Sequence, residues 1–380
     1  MSGDRSDNPK RILVFRIGQL GDTIAALPAF WALKAAFPSA SLSLLTNCAA
    51  GGSRTVSAIE VIPPTGLFDE VINYRAEQRG ISAVVSRLLL AARLRKGKFD
   101  RAYYLMPRNR TLSQISRDQT FFRLAGINEV LGIKYLKQNL LAFPIPLPTP
   151  EVMPESDFLV DLLRSEGVEP ESNEKALLDL SNEERRYAAE WLSGKGLTAE
   201  NRTIIAVGPG SNWRSKVWAE ARFELVVSRL IDEFNVWPIV VGGRQDREVG
   251  SRLIDKWKRG LNAAGELSVR QSASLLEHCH IFLGNDTGTM HLAAAVGTPC
   301  VAVFAAVDWI GKWTPFGGHN NRLFRSHVDC EGCHLQDCPY GNKCLELISV
   351  DDVHAACAEL LRSGHRTGNP KPVHHLRVHA

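Results

Sequence analysis

The sequence predicts an α/β protein made of two Rossmann-like domains that face a central cleft. Three observations carry this. Short β-branched apolar runs alternate with helical segments, the alternation comes in two series, and a proline-rich stretch separates the series. At 380 residues the chain is long enough for two domains with their own cores.

The elements follow in order. Arg11–Ile17 is an apolar strand that stops at Gly18. Ile24, Leu27, Ala29, Phe30, Leu33, Ala36 and Phe37 then recur on one side of a helix that ends at Pro38. Ser41–Thr46 and Glu70–Tyr74 read as strands, residues 81–95 as a helix and Arg101–Met106 as the next strand. Between Phe143 and Pro150 four prolines alternate with other residues, so this stretch is neither helix nor central strand. Helical segments are expected near 157–164 and 182–192. The second series comprises strands at 203–207, 238–241, 281–283 and 300–304 with helices near 221–234 and 272–278. The expected division is an N-terminal domain over 1–150, a linker region over 151–175 and a second domain over 176–350. A C-terminal helix and a polar, mobile tail follow over 351–380. In such halves ligands bind at the carboxyl ends of the strands.

An apolar content of 44% with 23% charged residues describes a globular chain, and no stretch approaches the ~20 apolar residues of a membrane span. A polar start running straight into a strand predicts no signal peptide, and eight cysteines in so large a chain favour a cytoplasmic location. Charge is unevenly placed. Residues 1–150 carry 20 Lys and Arg against 10 Asp and Glu, and the remainder carries 25 against 31. Most of the excess lies at Arg79, Arg87, Arg93, Arg95, Lys96, Lys98, Arg101, Arg108, Arg110, Arg117, Arg123, Lys134 and Lys137. Such a field attracts an anionic partner, a phosphorylated glycan or an anionic membrane surface. A solvated helix face accounts for Arg87 to Lys98 equally well. No aromatic residues interleave with the cations, which argues against nucleic acid.

Two strand ends in the second half carry phosphate-binding chemistry, and a third is placed to meet a ribose. Gly284-Asn285-Asp286-Thr287-Gly288-Thr289-Met290-His291 links a buried strand to an Ala-rich helix, so free N–H groups and two hydroxyls converge on an anion site. Asp286 and Thr287 read equally well as ordinary N-caps. In Val207–Trp218, Gly210 allows close backbone approach, Ser211 offers a hydroxyl and Lys216 a point charge. Gln245 or Asp246, after the strand at 238–241, is placed to meet a ribose. The first turn, Gly18-Gln19-Leu20-Gly21-Asp22, lacks the spacing of a dinucleotide fingerprint, which weighs against an NAD-dependent oxidoreductase. It delivers Asp22 to a helix entry, as a general base or as a cap. The chain has no Asp-x-Asp triplet, so a metal-bridged diphosphate is not indicated.

In combination, Ile17-Gly18-x-x-Gly21-Asp22, Gly208-x-Gly210-Ser211…Lys216-x-Trp218 and Gly284–His291 resemble glycosyltransferase family 9, the lipopolysaccharide heptosyltransferase-like enzymes. The resemblance spans roughly residues 11–353. It implies a GT-B fold, an acceptor-binding N-terminal domain and a C-terminal domain for a nucleotide-activated sugar. It also implies metal-independent transfer with inversion, with no cofactor required for catalysis. By the same resemblance Asp22 is the base, and Lys216 and Ser211 contact the donor phosphates. Asp286, Thr287 and Gly288 form the sugar- and diphosphate-binding turn, with Thr289 and His291 beside it. ADP-heptose is the favoured donor. An anionic glycan or glycolipid at the inner face of the cytoplasmic membrane is the expected acceptor, with Arg108, Arg110 and Arg117 as its candidate contacts. Another nucleotide sugar or acceptor is the nearest alternative, and a non-catalytic nucleotide-sugar or glycan-binding protein the alternative of another class. The segment Ala305-Ala306-Val307-Asp308-Trp309 departs from the Gly- and Pro-containing turn that the family implies there. Finally, Cys330, Cys333, Cys338 and Cys344 have compact spacing that suits structural zinc, with reduced thiols or a disulfide as alternatives.

Overall fold

The structure, a computed structural model, describes residues 9–48, 56–75, 80–170, 177–197, 202–364 and 376–379. It is α/β, with two all-parallel sheets in two compact units. The first unit comprises Met1–Phe143 and Glu155–Lys175, the second Pro144–Pro154 and Ala176–Ala380.

In the first unit β1 (Arg11–Phe15), β2 (Ser41–Asn47), β3 (Glu70–Tyr74), β4 (Arg101–Tyr104) and β5 (Val130–Leu131) lie in the order β3-β2-β1-β4-β5. Its helices are α1 (Leu20–Ala36), α2 (Gly80–Gly97), α3 (Leu112–Leu124), α4 (Ile133–Gln138) and α5 (Glu155–Ser165). β1 is central: Leu13 is in register with Ser43 on one side and Ala102 on the other. A strand covered on both faces must be apolar throughout, and Ile12, Leu13 and Val14 are fully buried. Phe15 packs edge-on against Phe122 of α3 at 5.3 Å and tilted against Tyr104 at 5.7 Å. The segment expected to be linker, 151–175, contains α5, whose Phe158, Leu159, Leu162 and Leu163 are buried and which packs on α1. Residues 144–154 group instead with the second unit, where Glu151 bridges Ile310.

The second unit repeats the plan at larger scale. Its strands are β6 (Ile204–Gly208), β7 (Trp237–Val240), β8 (Leu261–Asn262), β9 (Ile281–Asn285), β10 (Cys300–Val303), β11 (Arg322–Ser326) and β12 (Leu376–His379), in the order β12-β11-β10-β9-β6-β7-β8. Helices α6 (Asn182–Gly194), α7 (Glu220–Phe234), α8 (Arg247–Trp257), α9 (Val269–Glu277), α10 (Gly288–Ala295), α11 (Lys343–Glu346) and α12 (Val350–Ser363) complete it. Trp218, Phe223, Leu230, Trp257, Phe324 and Leu345 share one core with the strand side chains. Each such side chain contributes roughly 1.5–3 kcal/mol by leaving water. The expected polar tail is corrected in part: Leu376–His379 forms a strand parallel to β11, while 365–375, with His374 and His375, lie outside the described residues. Arg79 also lies outside them.

In both sheets the strand order reverses beside the first strand of the unit, between β1 and β4 and between β6 and β9. Loops leaving the two strands at such a point diverge and open a crevice at the carboxyl edge.

Candidate functional site

The crevice of the second unit collects the residues singled out after β6 and β9. Gly208 and Gly284 are register partners on these strands. A Cβ on Gly284 would lie 2.5 Å from the Phe282 ring and 2.8 Å from the Gly208 carbonyl oxygen, so glycine lets the two strand ends approach. Asn285, fully buried, ties the loops together. Its amide donates to the Pro209 carbonyl at 2.8 Å and its oxygen accepts from the Trp218 N–H at 3.0 Å. The 209–218 loop is thereby fixed, and a 3₁₀ turn at Arg214–Lys216 aims Lys216 at β9.

Lys216 Nζ donates to Asp286 Oδ2 at 2.6 Å, and both side chains are largely buried. Asp286 is therefore not the cap of α10. The cap position belongs to Thr287, and no side chain caps this helix. The Thr287 and Thr289 hydroxyls instead pair with each other at 2.8 Å. The N-terminus of α10, with its positive dipole end, thus sits one residue from a buried lysine–aspartate pair. N–H groups, two hydroxyls and a lysine held in place thus converge at this strand end, an arrangement whose chemistry suits an anion.

His291, in the first turns of α10, is buried, and its proton affinity falls to about 4. Burial is the main cause; Lys216 lowers it further and Asp286 opposes. The ring is neutral near pH 7. Because the unfolded chain binds this proton near 6.5 and the folded chain only near 4, the unfolded state gains protons first on acidification. Stability is complete above about 6.5 and is lost as pH falls toward 4, by roughly 3 kcal/mol from this residue alone. Urea midpoints measured from pH 7 to 4 are expected to fall less steeply for His291→Gln than for the wild type.

The sequence reading missed a second cluster beside this one. Asp308 accepts from the Trp309 N–H at 2.8 Å and from Trp313 Nε1 at 2.7 Å, and Lys312 stands 3.4 Å from both its oxygens. Its carboxyl is held below the usual carboxylate range by Lys312, Lys216 and these hydrogen bonds, against the opposing effect of burial, which is the largest single influence. Trp313 meets the His291 ring edge-on at 6.1 Å. The signal was present in the sequence: Ala305–Trp309 departs from the expected turn and carries the aspartate.

Other predicted residues have clear surroundings. Ser211 Oγ accepts from the Trp213 N–H at 3.2 Å. Gly210 is required because a Cβ there would lie 1.9 Å from Asp246 Oδ1. Asp246 is buried beneath the loop, accepting from the Gly243 N–H at 2.8 Å, with Gln245 3.4 Å away.

In the first unit Asp22 occupies the third position of α1, and its Oδ2 accepts from the Gln19 N–H at 2.9 Å. Gly18 has φ +150°, and a Cβ there would overlap the Asp22 side chain at 2.2 Å. Arg16, at the end of β1, donates to the Asp22 carbonyl at 3.1 Å and lies 3.6 Å from Asp22 Oδ1. Arg16 also donates to the Leu105 carbonyl at 3.0 Å and reaches Glu155 Oε1 at 3.4 Å. Glu155, the first residue of α5, also accepts from Arg108 Nε at 3.1 Å. Arg16, Arg108 and Glu155 are all nearly fully buried. Removing one member leaves charge without its partner, so Glu155→Gln should destabilise the fold by about 3–5 kcal/mol in urea titrations. An Arg108 so buried is a structural cation, and it also lies 4.8 Å over the Phe158 ring. Arg110 and Arg117 converge on Asp118, at 2.6 and 2.8 Å, where the Tyr104 hydroxyl also donates at 2.8 Å. Burial and the Asp118 charge push the Tyr104 phenol up, and raise Tyr74 to about 12. Of the three predicted acceptor arginines, Arg117 is the exposed one.

All eight cysteines are free thiols. Burial pushes the Cys330 and Cys344 thiols up, and neighbouring thiols add to the effect. Among the described residues no group of three or more His, Cys, Asp or Glu side chains could hold a metal ion. Cys344 lies in the hydrophobic core, with its sulfur accepting from the Ala306 N–H at 3.4 Å.

A profile of glycosyltransferase family 9 (heptosyltransferase) matches residues 160–344. The matched residues belong to this family. This family 9 glycosyltransferase is 26% identical to lipopolysaccharide heptosyltransferase 2 of Escherichia coli K12 over 333 residues, covering 83% of this chain and 88% of that one. Its fold is similar to that of a solved family 9 glycosyl transferase from Veillonella parvula, with TM-score 0.71, 22% identity, and 93% and 98% of the two chains covered. The solved ADP-heptose heptosyltransferase II of E. coli is also similar, with TM-score 0.61 and 22% identity over 93% and 99%. The expected GT-B class is thereby the observed one. No described helix of this transferase is long and apolar enough to cross a membrane.

Proposed function

We propose that this family 9 enzyme transfers heptose from ADP-heptose to a lipopolysaccharide-core or related glycan acceptor, with inversion and without a metal. One observation carries the reading: the buried Lys216–Asp286 pair beside the uncapped N-terminus of α10, at the switch point of the second sheet. As the sugar leaves, negative charge grows on the diphosphate. Lys216 and the N–H groups of Gly288 and Thr289 are pre-oriented to receive it, the task a metal performs in other transferases. The relatives named for heptose transfer, and one named for ADP-heptose, support the donor.

In this reading the acceptor hydroxyl oxygen attacks the anomeric carbon and Asp22 takes its proton. The bond to the diphosphate breaks with its electron pair on the departing oxygen, and one displacement inverts the centre. Arg16 and the Gln19 N–H hold the Asp22 carboxylate in one orientation. Asp286 fixes Lys216 and is placed to bind a sugar hydroxyl, with neutral His291 beside it. Gly210 and Ser211 line the phosphate, and Gln245 is left for the ribose; Arg117, the exposed one of the three arginines, offers charge to an anionic acceptor. The acceptor domain corresponds to the first half of the chain and the donor domain to residues 176–350. Work on a membrane-anchored acceptor places the enzyme in the cytoplasm, at the inner face of the membrane.

The test is a donor panel followed by thermal shift. Stabilisation by ADP-heptose, beyond that by GDP-, UDP- or TDP-sugars, is the expected result. A preference for a UDP-sugar would move the chain to another donor, and no response to any of them would remove the donor site.

A further inference from the structure

α2 is placed unusually for a crossover helix. It buries only Ala83 and Leu94 as core residues. Ile81, Val84, Val85, Leu88 and Leu89, by contrast, are between 48% and 84% exposed. Their spacing, i, i+3, i+4, i+7 and i+8, puts all five on one face of the helix. Ala83 and Leu94 lie on the other side, toward the protein. An amphipathic helix thus turns a five-residue apolar stripe to solvent, on top of its ordinary inward contact.

The stripe ends in positive charge. Arg95 follows Leu88, and Lys96 follows Leu89, by two helical turns on the same exposed face. Arg87 and Lys98 are also exposed, and α2 contains no acidic residue. Arg93 is the cation already matched, by Glu70 at 2.7 Å.

We infer that this face of α2 docks the enzyme onto an anionic lipid bilayer. The chemistry fits that occupant. Val and Leu side chains enter the boundary between headgroups and acyl chains while Arg and Lys remain among the phosphates. The excess of 20 Lys and Arg over 10 Asp and Glu in residues 1–150 adds long-range attraction to the same surface. A second copy of the chain fits less well, because α2 helices paired through the stripe would bury Arg95 and Lys96 of both copies in the contact with no acid on the helix to offset them. The inference deepens the proposed reading and rests on it for its purpose, delivery of the enzyme to a membrane-anchored acceptor.

The test uses the full chain and co-sedimentation with vesicles of phosphatidylcholine, with and without phosphatidylglycerol. Binding to the mixed vesicles is expected, weakened by salt and weak on phosphatidylcholine alone. Arg95→Gln with Lys96→Gln should lower the affinity about 30-fold, at a factor of about five per cation. Leu88→Ser with Leu89→Ser should lower it about a hundredfold. These side chains are exposed, so urea midpoints should match the wild type, and Lys134→Gln with Lys137→Gln should retain most of the binding. Failure of the wild type to bind mixed vesicles would overturn the inference. So would equal binding by the α2 variants, or wild-type self-association in sedimentation velocity that Leu88→Ser with Leu89→Ser abolishes. ADP titration is read separately. Vesicle binding without ADP binding sinks the transferase reading and leaves the docking face standing; the reverse result does the opposite.

Discussion

Asp22→Asn is expected to lower kcat by about 10²–10⁴-fold, the range for loss of a positioned general base, while donor binding stays within a factor of about two. The substitution keeps the size of the side chain and one oxygen for the Gln19 N–H, so α1 keeps its start. What it removes is the proton acceptor and the charge facing Arg16 at 3.6 Å. The measurement is steady-state transfer paired with calorimetric donor titration. A turnover unchanged by Asp22→Asn would remove the base assignment. A loss of donor binding equal to the loss of turnover would recast Asp22 as a structural residue of the first unit.

Lys216→Met should have two large effects. The leaving diphosphate loses its lysine, which is expected to cost about 10²–10³-fold in kcat, as for removal of one electrostatic donor to developing charge. Separately, Asp286 keeps a nearly buried carboxylate without its partner at 2.6 Å, a change of the class that costs about 3–5 kcal/mol of stability. The double variant Lys216→Met with Asp286→Asn separates them. Stability should return toward the wild type because no buried charge is left unpaired, while turnover stays low. If the double variant regained turnover, the lysine would be a counter-ion for Asp286 and nothing more.

The fold was largely legible in the chain because parallel strands covered on both faces are continuous apolar runs, as in Ile12–Phe15 and Ile204–Val207, and helical spacing between them gives the crossovers. The loops 208–218 and 284–291 were legible as strand-end turns rich in glycine and hydroxyls, and the structure brings Lys216 of one to Asp286 of the other. Long-range pairing was not. Glu155 opens a helix within a stretch read as linker, and nothing nearby reveals that it answers Arg16, 139 residues earlier. Charge counting failed for the same reason: Arg108 and Arg110 were counted as available cations, yet Glu155 and Asp118 hold them in place. A local rule made Asp286 a candidate cap, whereas a lysine from another loop claims its carboxylate. The exposed stripe on α2 was hidden because an apolar face at helical spacing normally marks the side turned inward, and burial alone distinguishes the two.

In the proposed reaction the second unit binds the leaving nucleotide diphosphate through Lys216 and the α10 N-terminus. The most direct measurement is calorimetric titration of ADP into the wild type and into Lys216→Met with Asp286→Asn, each with a chelator present. ADP should bind the wild type without divalent metal, and the double variant should bind about 10–100-fold more weakly, as for loss of one hydrogen bond to a charged group. Equal affinity in the two proteins, or wild-type binding that appears only when magnesium is restored, would contradict it.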